Sequence, residues 1–333
     1  MQPTLSKLKV EDITTSNEAM ARCLRLAALA AGSDVPVVLL GETGTGKTLL
    51  AHAIHNSSGR ASQPFVSFNA SAMSDTLLES QLFGHERGAF TGAQQTVKGK
   101  FELANTGTLF LDEISEMSPL AQVKILHALE YGEFERLGSE RMLTSDVRII
   151  CATNCSLLQR VRHEKFREDL YHRLNGLTLL IPALRERLEE LPPLIAAELK
   201  ACAAREGKTI TAIHPEAMEK LVAHEWRGNL RELSHTVRTM TLFCEGPVVL
   251  PEHVLFPPDL GPSEQTGDGK NPTIEDGKNN AATVGRDLSL SGAIARHLNF
   301  VYQQTGKNQR RTAKLLGISR ATLIRRLRRM GLK

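Results

Sequence analysis

Long apolar runs are what this 333-residue sequence most conspicuously lacks. The longest, Leu26–Ala31 and Val35–Leu40, fall far short of the ~20 residues a bilayer span requires. The opening MQPTLSKLKV has no apolar core of the signal-peptide kind. Cysteine is scarce too. The five cysteines (Cys23, Cys151, Cys155, Cys202, Cys244) are odd in number and follow no framework spacing, which argues against a disulfide scaffold and predicts a reducing, cytoplasmic setting without membrane insertion. Only Cys151 and Cys155 stand close together, and no histidine cluster completes a metal site around them. His52 and His55 lie on one predicted helix but find no third ligand, so they are read as structural.

What is present is ordinary globular composition, 41% apolar and 23% charged, on a length that suits two to three domains. Whole-chain disorder is excluded. The net charge of +4 hides an asymmetry: residues 286–333 carry twelve lysines and arginines against one acid, net +11, leaving 29 basic and 36 acidic residues, net −7, in the rest. One end is a basic module. Before it, residues 257–285 are rich in Pro, Gly, Asn and Asp and almost free of large apolar side chains, the composition of a linker. As a flexible coil that stretch has an r.m.s. span of about 30 Å.

Thr15-Ser-Asn-Glu18 has capping-box spacing and is expected to open an amphipathic helix ending at Gly32. Five short apolar runs follow: Val35–Leu40, Phe65–Phe68, Thr108–Leu111, Val147–Cys151 and Leu177–Ile181. Their lengths suit buried parallel strands, and helix-period stretches such as Leu49–His55 and Leu120–Leu129 are long enough for crossovers. After Pro182 the strands are expected to cease, giving way to helices at about Leu194–Arg205, Pro215–His224 and Asn229–Cys244, the last closed by Gly246.

The chemistry begins at Gly41-Glu42-Thr43-Gly44-Thr45-Gly46-Lys47-Thr48, which fits G-x-x-x-x-G-K-[ST] between an apolar run and a helical pattern. Glycines let the backbone wrap phosphate oxygens, the helix start offers free N–H groups, Lys47 neutralises phosphate charge and Thr48 can ligate Mg²⁺. A second acidic element, Asp112-Glu113, ends the run beginning at Thr108. At a strand's C-terminal end Asp112 can orient the metal while Glu113 polarises the attacking water. Together these predict a P-loop ATPase that uses ATP and Mg²⁺.

At the other end, Thr312–Leu316, Gly317, Ser319 and Arg320–Arg329 read as helix, turn, helix. Leu323, Leu327 and Met330 share one face of the second helix, with Ala313 small enough for close packing, and Thr322, Arg326 and Arg329 share the opposite face. Ser319, Arg320, Thr322 and Arg326 are the base-edge candidates; Arg310, Arg311, Arg325, Arg328 and Arg329 are placed on phosphates.

Gly88-Ala89-Phe90-Thr91-Gly92-Ala93, within Glu79–Ala93, resembles the GAFTGA loop of bacterial enhancer-binding proteins, the AAA+ activators of sigma-54 RNA polymerase. The resemblance runs over roughly residues 10–255, through Gly132–Gly138, Ala152–Asn154, Phe166–Leu174, Pro182–Arg187 and Gly228–Leu233. It implies an α/β AAA+ core with a parallel sheet (12–181, after an arm at 1–11), a small helical lid (182–256) and a C-terminal Fis-type helix-turn-helix (286–333). It also implies roles. Asn69 would restrain Glu113, Asn154 would sense the γ-phosphate, Arg167 and Arg173 would be arginine fingers reaching a neighbouring subunit, and Arg231 would be the lid's sensor. The 88–93 loop would touch the sigma factor, with Phe90 and Thr91 as an exposed pair at a glycine-hinged tip.

Two departures stand out. Thr48 replaces a common glutamate but restores the general P-loop pattern, while Arg227 replaces the proline usual between Trp226 and Gly228 and unsettles the loop before Arg231. Only about a dozen residues precede the ATPase part, so the resemblance is to activators of the phage-shock-protein type, restrained by a separate protein or set by their own abundance. The expected partners are sigma-54 RNA polymerase, enhancer DNA and further copies of the chain, as a hexameric ring or a dimer at rest. The competing readings are an AAA+-fold regulator of sigma-70 promoters, which would not need Phe90-Thr91 or Glu113, and an AAA+ remodeller of another target, for which the 88–93 loop has no explanation.

Overall fold

The computed structural model describes residues 7–71 and 73–256, together with Tyr302, Asn308, Gln309, Thr312, Ala313, Leu323 and Leu327. The chain divides into two units, residues 1–261 and 262–333. The first begins α1 (Glu18–Ala31), β1 (Val37–Leu40), α2 (Lys47–Asn56), β2 (Phe65–Asn69), α3 (Asp75–Phe83), β3 (Gly84–His85), β4 (Val97–Lys98), α4 (Lys100–Leu103) and β5 (Thr108–Asp112). It continues α5 (Pro119–Tyr131), β6 (Glu133–Glu135), β7 (Met142–Thr144), β8 (Arg148–Thr153), α6 (Leu157–Arg162), α7 (Glu168–Leu174) and β9 (Leu177–Leu180). The lid adds α8 (Leu191–Arg205), β10 (Ala212–Ile213), α9 (Pro215–Ala223), α10 (Asn229–Phe243) and β11 (Val248–Val249).

The five apolar runs become one parallel sheet in the order β2-β5-β8-β1-β9. Alternation along each strand feeds two separate cores. Val38, Leu109, Leu111, Ile149 and Cys151 pack on one face with Phe83, Phe101 and Ile125, while Val37, Leu39, Phe110, Ile150 and Ala152 pack on the other with Ala27, Leu50 and Ile54. Helices thus cover both faces, which is why these strands read as continuous apolar runs rather than alternating ones. The chain leaves β1 for the far edge strand β2 and returns through β5 and β8, so β1 sits at a topological switch point, where the C-terminal ends of the strands open a crevice.

Three local expectations are corrected. Helix α1 is capped by Asn17, whose side chain accepts from Met20 N at 3.0 Å, rather than by Thr15; the Thr15 hydroxyl is instead drawn to Glu190. Helix α10 ends at Phe243, with Cys244 rather than Gly246 as its cap. Strands do not cease after Pro182: β10 and β11 form a two-residue parallel pair that closes the lid. Pairs so short have no periodicity to read. The lid core gathers Leu184, Leu191, Ile195, Leu233, Val237 and Met240 around a fully buried Trp226, whose indole N–H donates to Leu221 O at 2.9 Å. All five cysteines are free, and among the described residues there is no metal-binding cluster and no helix long and apolar enough to cross a membrane.

In the second unit Tyr302, Ala313, Leu323 and Leu327 form a buried apolar cluster, so Ala313 and the Leu323/Leu327 face meet as their spacing predicted. Thr312 anchors that packing locally, its hydroxyl donating to Asn308 O at 2.7 Å. Met330 and all the expected DNA-contacting residues (Arg310, Arg311, Ser319, Arg320, Thr322, Arg325, Arg326, Arg328, Arg329) lie outside the described residues, as does the linker at 257–285.

Candidate active site

The loop after β1 turns through Gly44 (φ 84°) and Gly46 (φ 102°), conformations that glycine adopts without strain, and delivers the chain into α2. Leu50 N donates to Gly46 O at 3.0 Å, so the N–H groups of Lys47, Thr48 and Leu49 have no partner within the helix. Lys47 is buried, and its ammonium donates to the carbonyls of Gly41 (2.8 Å) and Glu42 (3.0 Å). Burial lowers its pKa below the ordinary lysine value, a shift opposed by the charges of Asp112 and Glu113. The cation is therefore held charged by the acids across the site rather than by solvent.

Those acids end β5. Register pairs Asn69 with Asp112, and Ala70 N donates to Asp112 O at 3.0 Å, so β2 and β5 deliver their last residues side by side. Burial raises the Asp112 pKa, with Lys47 pulling the other way. Glu113 is half-buried and takes a left-handed backbone (φ 54°), unusual for a non-glycine residue and concentrated in proteins at functional sites. A cavity of about 260 Å³ is lined by Thr43, Gly44, Gly46, Lys47, Thr48, Leu49, Asp112, Glu113 and Arg231. The structure thus brings Thr43, Gly44, Gly46, Lys47 and Thr48 of the P-loop together with both carboxylates and the lid arginine, while Gly41, Glu42 and Thr45 stand outside the lining.

It does not bring the other expected residues into that lining. Asn69 uses its side-chain oxygen to accept from Ser71 N (2.8 Å) and Ser71 Oγ (2.5 Å). Asn154 is exposed just beyond the end of β8, the strand next to β1. Arg167, at the start of α7, grips Asp169 through two bonds of 3.0 and 2.7 Å, and Arg173 donates to Leu129 O at 3.2 and 2.7 Å. Both are exposed, the placement a residue needs if it is to act on a neighbouring copy.

Sequence reasoning missed the way the lid grips the P-loop. Arg185 meets both carboxylate oxygens of Glu42, at 2.7 Å through one nitrogen and 2.5 Å through the other. Asn229, fully buried, donates to Glu42 Oε2 (3.2 Å) and Thr43 O (3.1 Å) while accepting from Leu184 N (2.7 Å). Leu230 N donates to Gly44 O at 3.0 Å, and Arg187 reaches Thr45 O at 3.4 Å. The signal lies in the Pro182–Arg187 and Gly228–Leu233 stretches, in which the sequence pattern assigns a role to Arg231 alone. At the Arg227 departure the turn is carried by Trp226 (φ 52°) and Asn229 (φ 53°), while Arg227 is exposed and bonds Glu225 at 2.8 Å.

The 88–93 loop stands on an antiparallel pair, β3 with β4. Its base is tied to the 132–144 segment: Glu86 N donates to Leu137 O at 2.9 Å, and Arg136 bonds Glu86 at 2.7 Å and Glu102 at 2.9 and 2.7 Å. The tip closes on itself through Gly88 N to Ala93 O (2.9 Å) and Ala93 N to Phe90 O (3.0 Å). Thr91 is exposed as expected. Phe90 is not: it is half-buried, its ring 5.0 Å from that of His85 in an edge contact, because an aromatic that finds a neighbouring ring loses part of its water contact even at a tip. Of the two histidines read as structural, His52 lies against Phe65 in a tilted ring contact and His55 is bonded to Thr108 Oγ1 at 2.9 Å.

Residues 13–180 match the Sigma-54 interaction domain, residues 185–272 an AAA+ ATPase lid domain and residues 303–330 the Fis family of bacterial regulatory proteins. The chain belongs to the family of sigma-54-dependent activators. Among curated relatives of this family, regulatory protein AtoC of Escherichia coli K12 is 41% identical over 323 residues, covering 96% of this chain and 68% of that protein. The formate hydrogenlyase transcriptional activator of Salmonella typhimurium LT2 is also 41% identical, over 96% of this chain but only 44% of its own length. The chain thus spans less than half of some of its relatives. The crystal structure of NtrX from Brucella abortus in complex with ADP superposes with a TM-score of 0.69 at 32% identity, covering 96% of this chain and 69% of that one. The AAA+ core, the lid and the Fis-type helix-turn-helix expected from the sequence are therefore those of this family.

Proposed function

We propose that the chain is an ATP-driven transcriptional activator that binds upstream enhancer DNA through residues 286–333 and assembles into a ring. Hydrolysis at the cavity moves the 88–93 loop against sigma-54 RNA polymerase, remodelling a closed promoter complex into an open one. The observation that carries this reading is the convergence of Lys47, Thr48, Asp112, Glu113 and Arg231 on one cavity, in a chain that also bears the 88–93 loop.

The residues present fit a nucleotide triphosphate with its metal. The free N–H groups at the start of α2 and the Lys47 ammonium are donors for phosphate oxygens, Lys47 having a third N–H for them beside its bonds to the Gly41 and Glu42 carbonyls. The Thr48 hydroxyl and the Asp112 carboxylate, both at the cavity wall, form the oxygen set that suits Mg²⁺. Magnesium, when bound, neutralises charge building on the bridging oxygen. Glu113 orients a water and takes its proton as the water oxygen attacks the γ-phosphorus; the bond to the β-phosphate oxygen breaks, leaving ADP and inorganic phosphate. Asn69, beside Asp112, positions Glu113, Asn154 reports the γ-phosphate, and Arg231 closes the cavity from the lid. Arg167 and Arg173 complete a neighbouring copy's site, where a guanidinium fork stabilises transition-state charge.

The test is open-complex formation on a sigma-54 promoter with purified polymerase, this protein and ATP, beside Thr91→Ala and Glu113→Gln. Opening by the unaltered chain alone is expected, with Thr91→Ala still hydrolysing ATP and Glu113→Gln binding it without turnover. An unaltered chain that hydrolyses ATP in the presence of polymerase and promoter yet opens nothing would remove polymerase remodelling from the reading.

A further inference from the structure

We infer that Glu42, Asn229 and Arg185 form a positioning latch through which the docked lid holds the P-loop in its phosphate-cradling conformation. The inference rests on the nucleotide reading of the cavity and deepens it. Neither Glu42 nor Asn229 lines that cavity. What they touch is the loop that does.

Glu42 is bonded on both sides. Its backbone carbonyl accepts from Lys47 Nζ (3.0 Å) and Thr45 Oγ1 (2.8 Å), both of them P-loop groups. Its carboxylate is forked by Arg185 and takes a further bond from Asn229 (3.2 Å), both from the lid. Rotating this one residue therefore moves the acceptor of the phosphate-binding lysine and the lid's handhold together. Asn229 repeats the pattern on the backbone, joining Thr43 O on the P-loop to Leu184 N on the lid.

The fit leaves no slack. A Cβ at Gly44 would lie 2.3 Å from Gly228 O, so the two backbones are in direct contact, and Leu230 N already bonds Gly44 O at 3.0 Å. The lid loop is itself fixed by left-handed conformations at Trp226 and Asn229, which persist because the indole is fully buried and the carboxamide is bonded on both sides. The Glu42–Arg185 pair is about 42% exposed, so as a contribution to global stability it is small; its geometry, two bonds from a planar fork, fixes orientation instead.

The experiment uses the full chain and a fluorescent N-methylanthraniloyl derivative of ADP. Affinity, the KM and kcat of ATP hydrolysis, and the nucleotide-free Tm are measured for Glu42→Gln, Arg185→Gln, the double variant, Asn229→Gly and Lys47→Ala. Asn229→Gly keeps the left-handed backbone while deleting the carboxamide. Glu42→Gln is expected to weaken binding about tenfold, the scale of lost charge-assisted bonds, and to raise KM more than it lowers kcat. Its Tm should shift by no more than about 1 °C, as for a half-exposed pair. The double variant should bind no worse than the weaker single one, because a latch opened at either end is already open. Asn229→Gly should weaken binding at least as much as Glu42→Gln. If both bind like the unaltered chain while Lys47→Ala loses nucleotide, the latch is wrong and the cavity reading stands. Loss of affinity only in step with a fallen Tm likewise overturns it. If Lys47→Ala binds normally, the cavity reading fails, and the latch with it.

Discussion

The nucleotide cavity and the 88–93 loop are both built on glycine turns, yet the two are held in opposite ways. Around the P-loop every turn residue has an outside partner: Gly41 presses on Ile181, Gly44 on Gly228, and Glu42, Thr43 and Thr45 are all bonded by the lid. At the loop tip, Gly88 and Gly92 have nothing within 4 Å of where a side chain would begin, and the closing hydrogen bonds are internal to the turn. Below that tip the contrast reverses over a few residues. A Cβ on Gly99 would lie 2.3 Å from Phe83 C and 2.4 Å from Gly84 N, and Arg136 pins Glu86 and Glu102. On the proposed function this difference has a reason: chemistry that stabilises developing charge needs donors fixed before the reaction, whereas a segment that transmits force would need a rigid base and a free end.

The sharpest way to break this comparison is at the loop's base. Gly99→Ala should cost about 1–3 kcal/mol, because the added carbon meets backbone atoms that cannot swing aside. A urea midpoint equal to that of the unaltered chain would show that the base is not clamped. Gly92→Ala should cost less, about 1 kcal/mol, since the tip offers open space and only the left-handed backbone (φ 106°) resists. Hydrogen exchange should confine that effect to residues 88–93; its spread into β3 and β4 would mean that tip and base move as one. The smallest effect has the opposite sign and lies in the cavity. Burial raises the Asp112 pKa, so the stabilisation from its neutral form is fully present below the ordinary value of 3.8 and is lost as pH rises through the folded value. At neutral pH the charged carboxylate is a cost accepted for function, and Asp112→Asn should raise the nucleotide-free Tm by roughly 2 °C. A lowered Tm would mean that attraction to Lys47 outweighs burial.

The parts legible in advance were those whose signal is local. Five strands were placed within one to two residues because their apolar runs are uninterrupted, and the P-loop and Asp112-Glu113 stood out because phosphate and metal chemistry fixes residue types at fixed spacing. The Asn17 cap was displaced onto Thr15 because both residue types suit that position, and only the attraction between Thr15 and Glu190 takes the threonine away. Phe90 was expected at an open tip because nothing in a hexapeptide announces that His85 will stand beside it.

By itself the sequence determined the order of the sheet's raw materials, the phosphate loop, the acidic strand end and the basic C-terminal module, since each follows from periodicity, composition or spacing within a few residues. The tertiary structure decided which groups meet. Asn229 and Arg185 stand more than a hundred residues from Glu42, and no local pattern encodes a contact that exists only after the lid has packed back onto the sheet. That return is a matter of burying Trp226 and its neighbours, a non-directional force, while the precise bonds it brings within reach are directional, and only the folded chain brings the two together.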